Sequence, residues 1–248
     1  MRYVIVGDVH GCIDELDELL LLADLKPMDT FVSVGDLVDR GPDSAAVVRR
    51  MREIRAVCVV GNHDMKHVKY HKRLLGNPEA TAKPELVEIE KQLTQEDKDW
   101  MRAMPLFYRI PSSNAIVIHG GWSPALQEVP MNPYILGNMP TEQRKLLFQT
   151  PWVRFVEKSG KMIQGGTERK GDAFWADHYD GRFGLTFFGH QPWYNGHRVF
   201  PYAIGLDTAC CFGSCLTAAV YENGVIVDYI TVPAKQTYAS RRLDFEEE

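Results

Sequence analysis

Short β-branched runs alternate with amphipathic stretches along the opening segment of the chain. Residues 3–6 form one such run, followed by the polar loop Gly7-Asp8-Val9-His10-Gly11. Beyond it Ile13, Leu16, Leu19, Leu20 and Ala23 fall on one helical stripe. Residues 31–34, a loop at 35–42 and a helix near 43–54 repeat the pattern. So do residues 56–60, the loop Gly61-Asn62-His63-Asp64 and a helix near 65–75. Strand, loop and helix in this order predict an α/β fold of parallel strands with helical crossovers, whose ligands gather at the carboxyl ends of the strands.

Residues 84–104 have helical spacing, with Thr94 and Asp97 set as a capping box, and read as a helical insertion. Residues 115–118 end at His119-Gly120-Gly121, and residues 185–188 end at Gly189-His190, so two more strand ends carry polar side chains. Three apolar or alternating runs follow, at 202–206, 216–221 and 225–232, with Asn223-Gly224 as a hairpin signal between the last two. They predict a second, more antiparallel sheet. No repeat or low-complexity linker divides the chain, so residues 1–248 read as a single domain.

Composition adds limits. With 248 residues, 45% of them hydrophobic and 25% charged, the chain can bury a sizeable core. Its net charge of -5 favours neither a stable nucleic-acid partner nor an anionic membrane, so any phosphate site must be local. The apolar run at the N-terminus is too short for a signal segment, and no stretch is long enough to span a bilayer. Cys12, Cys58, Cys210, Cys211 and Cys215 form an odd set without a CxxC pair, which predicts free thiols and a cytoplasmic protein. Cys210 to Cys215 lack structural zinc spacing and read as small buried side chains.

The polar loops supply Asp8, His10, Asp36, Asn62, His119 and His190. Carboxylate, imidazole and amide oxygen suit hard or borderline divalent metals. A lone strand-end Asp or His reads as a cap or a loop hydrogen bond, but five such loops together point to a metal site. Catalytic metal pairs lie roughly 3.5–4 Å apart and need a bridging carboxylate, for which Asp36 is the candidate. Asp8 and His10 lie two apart, so in an extended loop they face the same side and close on one ion. Asn62, His119 and His190 are left for the other.

The motifs GDVHG (7–11), GDLVDRG (35–41), GNHD (61–64), His119-Gly120 and Gly189-His190 resemble the phosphoprotein phosphatase family, within the calcineurin-like metallophosphoesterases. The resemblance implies a fold of two mixed β-sheets in a sandwich flanked by α-helices, with the same six metal ligands. It implies two divalent ions, manganese first with iron or zinc as alternatives, that acidify a water for in-line attack on phosphorus without a phosphoenzyme. In this family His63 would protonate the leaving group, Asp39 would orient His63, and Arg40 would bind phosphate oxygens. Trp152-Val153-Arg154 resembles the stretch that gives bacterial and phage members a second phosphate-binding arginine, here Arg154. Residues 175–182 and Gly205-Leu206-Asp207-Thr208 resemble bacterial relatives that include dinucleoside polyphosphate hydrolases and RNA-repair phosphatases. Asp64 departs from the Glu of eukaryotic protein phosphatases.

The expected activity is therefore hydrolysis of phosphate monoesters in the manner of a serine/threonine phosphoprotein phosphatase. The alternative is a bis(5′-nucleosyl)-tetraphosphatase acting on dinucleoside polyphosphates. Phosphorylated small molecules, nucleotides and phosphoproteins all remain as substrates. After GNHD, Lys66, Lys69 and Arg73 share one helix face and Met65, Val68 and Leu75 the buried one. That basic run reads as a solvated face, or as a landing strip for a second phosphate. His67 and His71, four apart without a third ligand in view, read as surface histidines.

Overall fold

In the computed structural model, which describes residues 1–111, 113–157, 159, 161–163, 167–169 and 171–240, the opening alternation forms three parallel strands. These are β1 (Arg2–Val6), β2 (Thr30–Ser33) and β3 (Val57–Cys58), with α1 (Ile13–Ala23) and α2 (Ser44–Glu53) between them. α3 (Asn62–Gly76) starts on the ligand loop itself, three residues before the expected helix. The stretch at 84–104 is two helices, α4 (Pro84–Gln92) and α5 (Gln95–Arg102), packed on α2 and α3. Their junction is the expected capping box: Asp97 N donates to Thr94 Oγ1 at 3.2 Å, and Thr94 N to Asp97 Oδ2 at 2.9 Å.

Next in order are β4 (Phe107–Arg109), β5 (Ala115–Ile118), α6 (Thr141–Gln149), β6 (Phe155–Val156) and β7 (Ala173–Phe174). The chain continues through β8 (Leu185–Phe188), β9 (Arg198–Val199), β10 (Ala203–Gly205), β11 (Cys215–Glu222) and β12 (Val225–Pro233). β6 and β7 make a small ribbon, and the other strands form two mixed sheets ordered β12-β11-β1-β2-β3 and β4-β5-β8-β10-β9.

This order corrects the expectation for the tail. The hairpin of β11 and β12, turning at Asn223-Gly224 with φ of 51° and 89°, extends the first sheet instead of founding a second. β11 lies antiparallel along β1, from Arg2 opposite Glu222 to Val6 opposite Ala218. Its centre is buried on both faces, which a central position satisfies, whereas the half-exposed β12 suits the edge. Only β10 from the tail joins the second sheet, parallel to β8.

Alternation along β1 divides the core. Tyr3 and Ile5 meet Val117, Phe187 and Ile204 between the sheets. Val4 and Val6 face outward under Leu16 and Leu19 of α1 and Val48 and Met51 of α2. On the far side, Ile116, Ile118 and Phe188 pack under Trp122 and Trp175. The carboxyl ends of β1, β2, β3, β5 and β8 therefore open along one edge of the two sheets. Among the described residues no helix is long and apolar enough to cross a membrane.

Candidate metal centre

Beyond β1 the chain turns instead of extending, since His10 has φ 47° and Gly11 φ 70°. The expected extended geometry for Asp8 and His10 is thus replaced by a left-handed turn, with His10 Nε2 3.9 Å from Asp8 Oδ2. Asp36, Asp39, Arg40 and His190 also have positive φ. Such conformations cost non-glycine residues about 1–3 kcal/mol each and persist where surrounding structure fixes them. Here it does. Val9 N and His10 N donate to Asp36 O at 3.2 and 2.9 Å, and Gly11 N donates to Leu37 O at 2.8 Å.

Asp64 ties in the third loop, accepting from Asp36 N at 2.8 Å and from Leu37 N and Gly61 N at 2.9 Å. Burial and the charge of Asp36 raise its carboxyl to about 6. The loops approach so closely that a Cβ on Gly61 would lie 2.1 Å from Asp36 Oδ1, and one on Gly189 1.9 Å from Asp8 Oδ1.

Asp36 sits between two sets of side chains. Its Oδ2 is 3.5 Å from His10 Nε2 and 3.4 Å from His119 Nε2. His10, Asp36 and His63 offer atoms within 4.8 Å of one another, and Asp36, His119 and His190 do the same. Asp8 accepts from His190 N with both oxygens at 3.2 Å, and Asn62 Oδ1 lies 3.0 Å from His119 Nε2. The expected six ligands are thus assembled on one edge. The arrangement adds His63 to the side of His10, where sequence had kept it apart as an acid.

The donor set fits cations. His10 Nδ1 donates to Val38 O at 2.8 Å and His119 Nδ1 to Val34 O at 3.0 Å, which leaves each Nε2 lone pair facing inward. Burial and the nearby Arg40 push His10 well down, and burial and Arg154 do the same to His190, so both rings stay neutral. With His119 in that tautomer, its Nε2 and Asn62 Oδ1 are two acceptors face to face, a contact that a positive ion between them resolves. Burial, Asp207 and Asp36 push the Asp8 carboxyl well up, the strain of crowded carboxylates that divalent charge relieves.

Around this set lies a second group. Asp39 Oδ2 is 2.5 Å from His63 Nδ1, and its Oδ1 is 2.7 Å from His67 Nε2. Burial works against the Asp39 charge, but the hydrogen bonds from His63 and His67 outweigh it and hold the carboxyl below its ordinary value. Arg40, its guanidinium 5.0 Å over the Phe212 ring, donates to His10 Nε2 at 2.9 Å and His63 Nε2 at 3.2 Å. Arg154 Nη2 donates to His190 O at 2.7 Å, and its Nε is buried without a partner.

His67 and His71 are buried, not at the surface as expected, while Leu75 is 63% exposed. The inner face of α3 is polar because acids receive it: Asp39 takes His67, and Glu90 takes His71 Nδ1 at 2.9 Å. Sequence reasoning also gave no role to Asp207, buried next to Asp8, which burial raises and which accepts from Ala209 N at 3.0 Å. Its signal was present, an Asp directly after the apolar run at 202–206 that contains β10.

The model of the calcineurin-like phosphoesterases matches residues 1–227, and the chain belongs to that family. An asymmetrical bis(5′-nucleosyl)-tetraphosphatase from Oceanobacillus iheyensis is 26% identical, over 98% of this chain and 96% of its own length. A symmetrical bis(5′-nucleosyl)-tetraphosphatase from Edwardsiella ictaluri is 29% identical, over 90% of this chain and 94% of its own. Among solved structures, a chain described as a candidate diadenosine tetraphosphatase is similar with a TM-score of 0.71 and 32% identity, covering 94% of this chain and 93% of that one. The chain is a hydrolase of the metallophosphoesterase family.

Proposed function

We propose that this protein hydrolyses dinucleoside polyphosphates such as diadenosine tetraphosphate, the alternative of the sequence reading and not its phosphoprotein phosphatase reading. The observation that carries it is the likeness to bis(5′-nucleosyl)-tetraphosphatases along nearly the full length of both chains. Asp8, His10, Asp36, Asn62, His119 and His190 would hold two divalent ions, Asp36 being the residue common to both groups of side chains. Manganese is the first choice from the family resemblance, with iron or zinc as alternatives, because the oxygen donors suit manganese and the imidazoles suit iron and zinc. When bound, the pair supplies charge neutralisation on the phosphoryl oxygens and acidifies the attacking water.

The protein's own groups do the rest. Arg40 and Arg154 bind phosphate oxygens, Arg40 through the planar fork it now turns to His10 and His63. Once Arg40 has turned from His63 Nε2 to the phosphate, that nitrogen carries a proton to the leaving phosphate oxygen, and Asp39 holds the Nδ1 end. The assignment to the cytoplasm is supported by cysteines that are all free.

An assay with manganese comparing diadenosine tetraphosphate, a phosphoserine peptide and nitrophenyl phosphate, with products identified, tests the substrate. The tetraphosphate is expected to have the highest kcat/KM. A phosphopeptide cut faster than the tetraphosphate would return the phosphoprotein reading.

A further inference from the structure

Several helical cations on this acidic chain are neutralised within their own helix. Lys91 pairs with Glu88, Lys145 with Glu142 and Arg102 with Asp99, each three residues away. The outer face of α3 differs: Lys66 and Lys69 make no ion pair among the described residues. Both are exposed, and each is placed by a contact to the wall beside the metal centre.

Lys66 Nζ lies 3.4 Å from His63 Nε2, the atom assigned to the leaving oxygen. Lys69, about 4.5 Å further along the helix axis, holds its Nζ 4.8 Å over the ring of Trp152. Trp152 ends the turn Thr150–Trp152, which is packed against the His119 loop: Gly121 N donates to Thr150 O at 3.0 Å, and a Cβ on Gly120 would lie 2.4 Å from that oxygen. The Lys69 to Trp152 contact thus joins a helix rising from Asn62 to a turn resting on His119, on the leaving-group side of the site. Two residues beyond Trp152, Arg154 turns to His190, with its Nε buried and unpartnered.

The leaving group of a phosphoprotein is a neutral side-chain oxygen, which has no use for cations past the general acid. The leaving group of a dinucleoside polyphosphate is a nucleotide, with a charge on each phosphate and an aromatic base at its end. We infer that Lys66, Lys69 and half-buried Trp152 form the subsite for this leaving nucleotide, the lysines neutralising its phosphates and the indole stacking its base. The inference rests on the dinucleoside polyphosphate reading and assigns that substrate's second half to a specific wall of the site. A base stacking on the indole would take the face that Lys69 covers and release that ammonium to the phosphates.

The test uses the full chain with manganese and steady-state kinetics on diadenosine tetraphosphate and nitrophenyl phosphate. Variants are the double substitution Lys66→Ala with Lys69→Ala, Trp152→Leu, and Lys72→Ala as a control on the same helix. The readout is the ratio of kcat/KM for the tetraphosphate to that for nitrophenyl phosphate. It is expected to fall about tenfold or more in the lysine pair and about tenfold in Trp152→Leu, through KM, and to hold in Lys72→Ala. An unchanged ratio in the lysine pair and in Trp152→Leu would overturn the subsite. So would an equal fall in Lys72→Ala, which would mean diffuse attraction by the helix. If the wild-type chain cuts nitrophenyl phosphate but not the tetraphosphate, the substrate reading itself fails, a result separable from the first two.

Discussion

The carboxylate of Asp39 is shared by two histidines one helical turn apart, with His67 Nε2 2.7 Å from one oxygen and His63 Nδ1 2.5 Å from the other. His67 thus fixes the acid that fixes His63. Replacing His67 by Leu should lower kcat about tenfold to a hundredfold, the usual scale for groups that orient a reacting side chain through another, with little change in bound metal. A His67→Gln chain, whose amide can still donate to Asp39, should recover part of the loss. If kcat in His67→Leu equals the wild-type value, His67 is only packing.

His63→Asn removes the proposed proton carrier itself. Turnover of the tetraphosphate should fall by roughly 10²–10⁴. Nitrophenyl phosphate, whose leaving group needs little protonation, should suffer less. Equal losses on both substrates would argue against a proton transfer from His63.

Asp36 lies between His10 and His119, so Asp36→Asn takes charge from both sides of the centre at once. Metal per chain, measured by elemental analysis after dialysis, should drop by roughly half or more, together with activity. Far-ultraviolet circular dichroism should stay near wild type, because the three core clusters do not include this carboxylate. Full metal content with full turnover would rule out Asp36 as the bridge.

Away from the site, Asp97 gives a pH signature. Burial raises its carboxyl, but hydrogen bonds from Thr94 and Arg52 prevail and hold it below the ordinary value. A depressed folded-state pKa means stability that is present above the unfolded pKa of about 4 and is lost as the pH falls through the folded value. Asp97→Asn should therefore lower Tm at pH 7, and the gap to wild type should narrow on acidification below about pH 4. A gap independent of pH would locate the effect in shape, not in charge.

Much of the strand and helix order was legible in sequence, since it depends on spacing within a few residues. Alternation placed β1, β2, β5 and β8, the Thr94 and Asp97 pair marked a helix start, and Asn223-Gly224 marked a hairpin. The candidate ligands were legible for the same reason, as polar side chains at the ends of apolar runs. β3 was overextended, read over 56–60 but observed only at Val57–Cys58, because an apolar run cannot tell a paired strand from a buried approach to one.

What sequence determined by itself is the chemistry available along the edge: the carboxylates, imidazoles, amide and arginines of a phosphoesterase. Tertiary structure decided their partners. It sent the tail hairpin to β1, where β11 gains cover on both faces. It buried His67 and His71, which look like surface residues until Asp39 and Glu90 arrive from other segments to receive their protons. It also made Asp64 the tie between two loops and brought Lys69 of one ligand loop's helix over Trp152 of another's supporting turn. Local pattern fixes what a side chain can do, but burial, charge and hydrogen bonding depend on which distant surface meets it, and that meeting is written only in the folded chain.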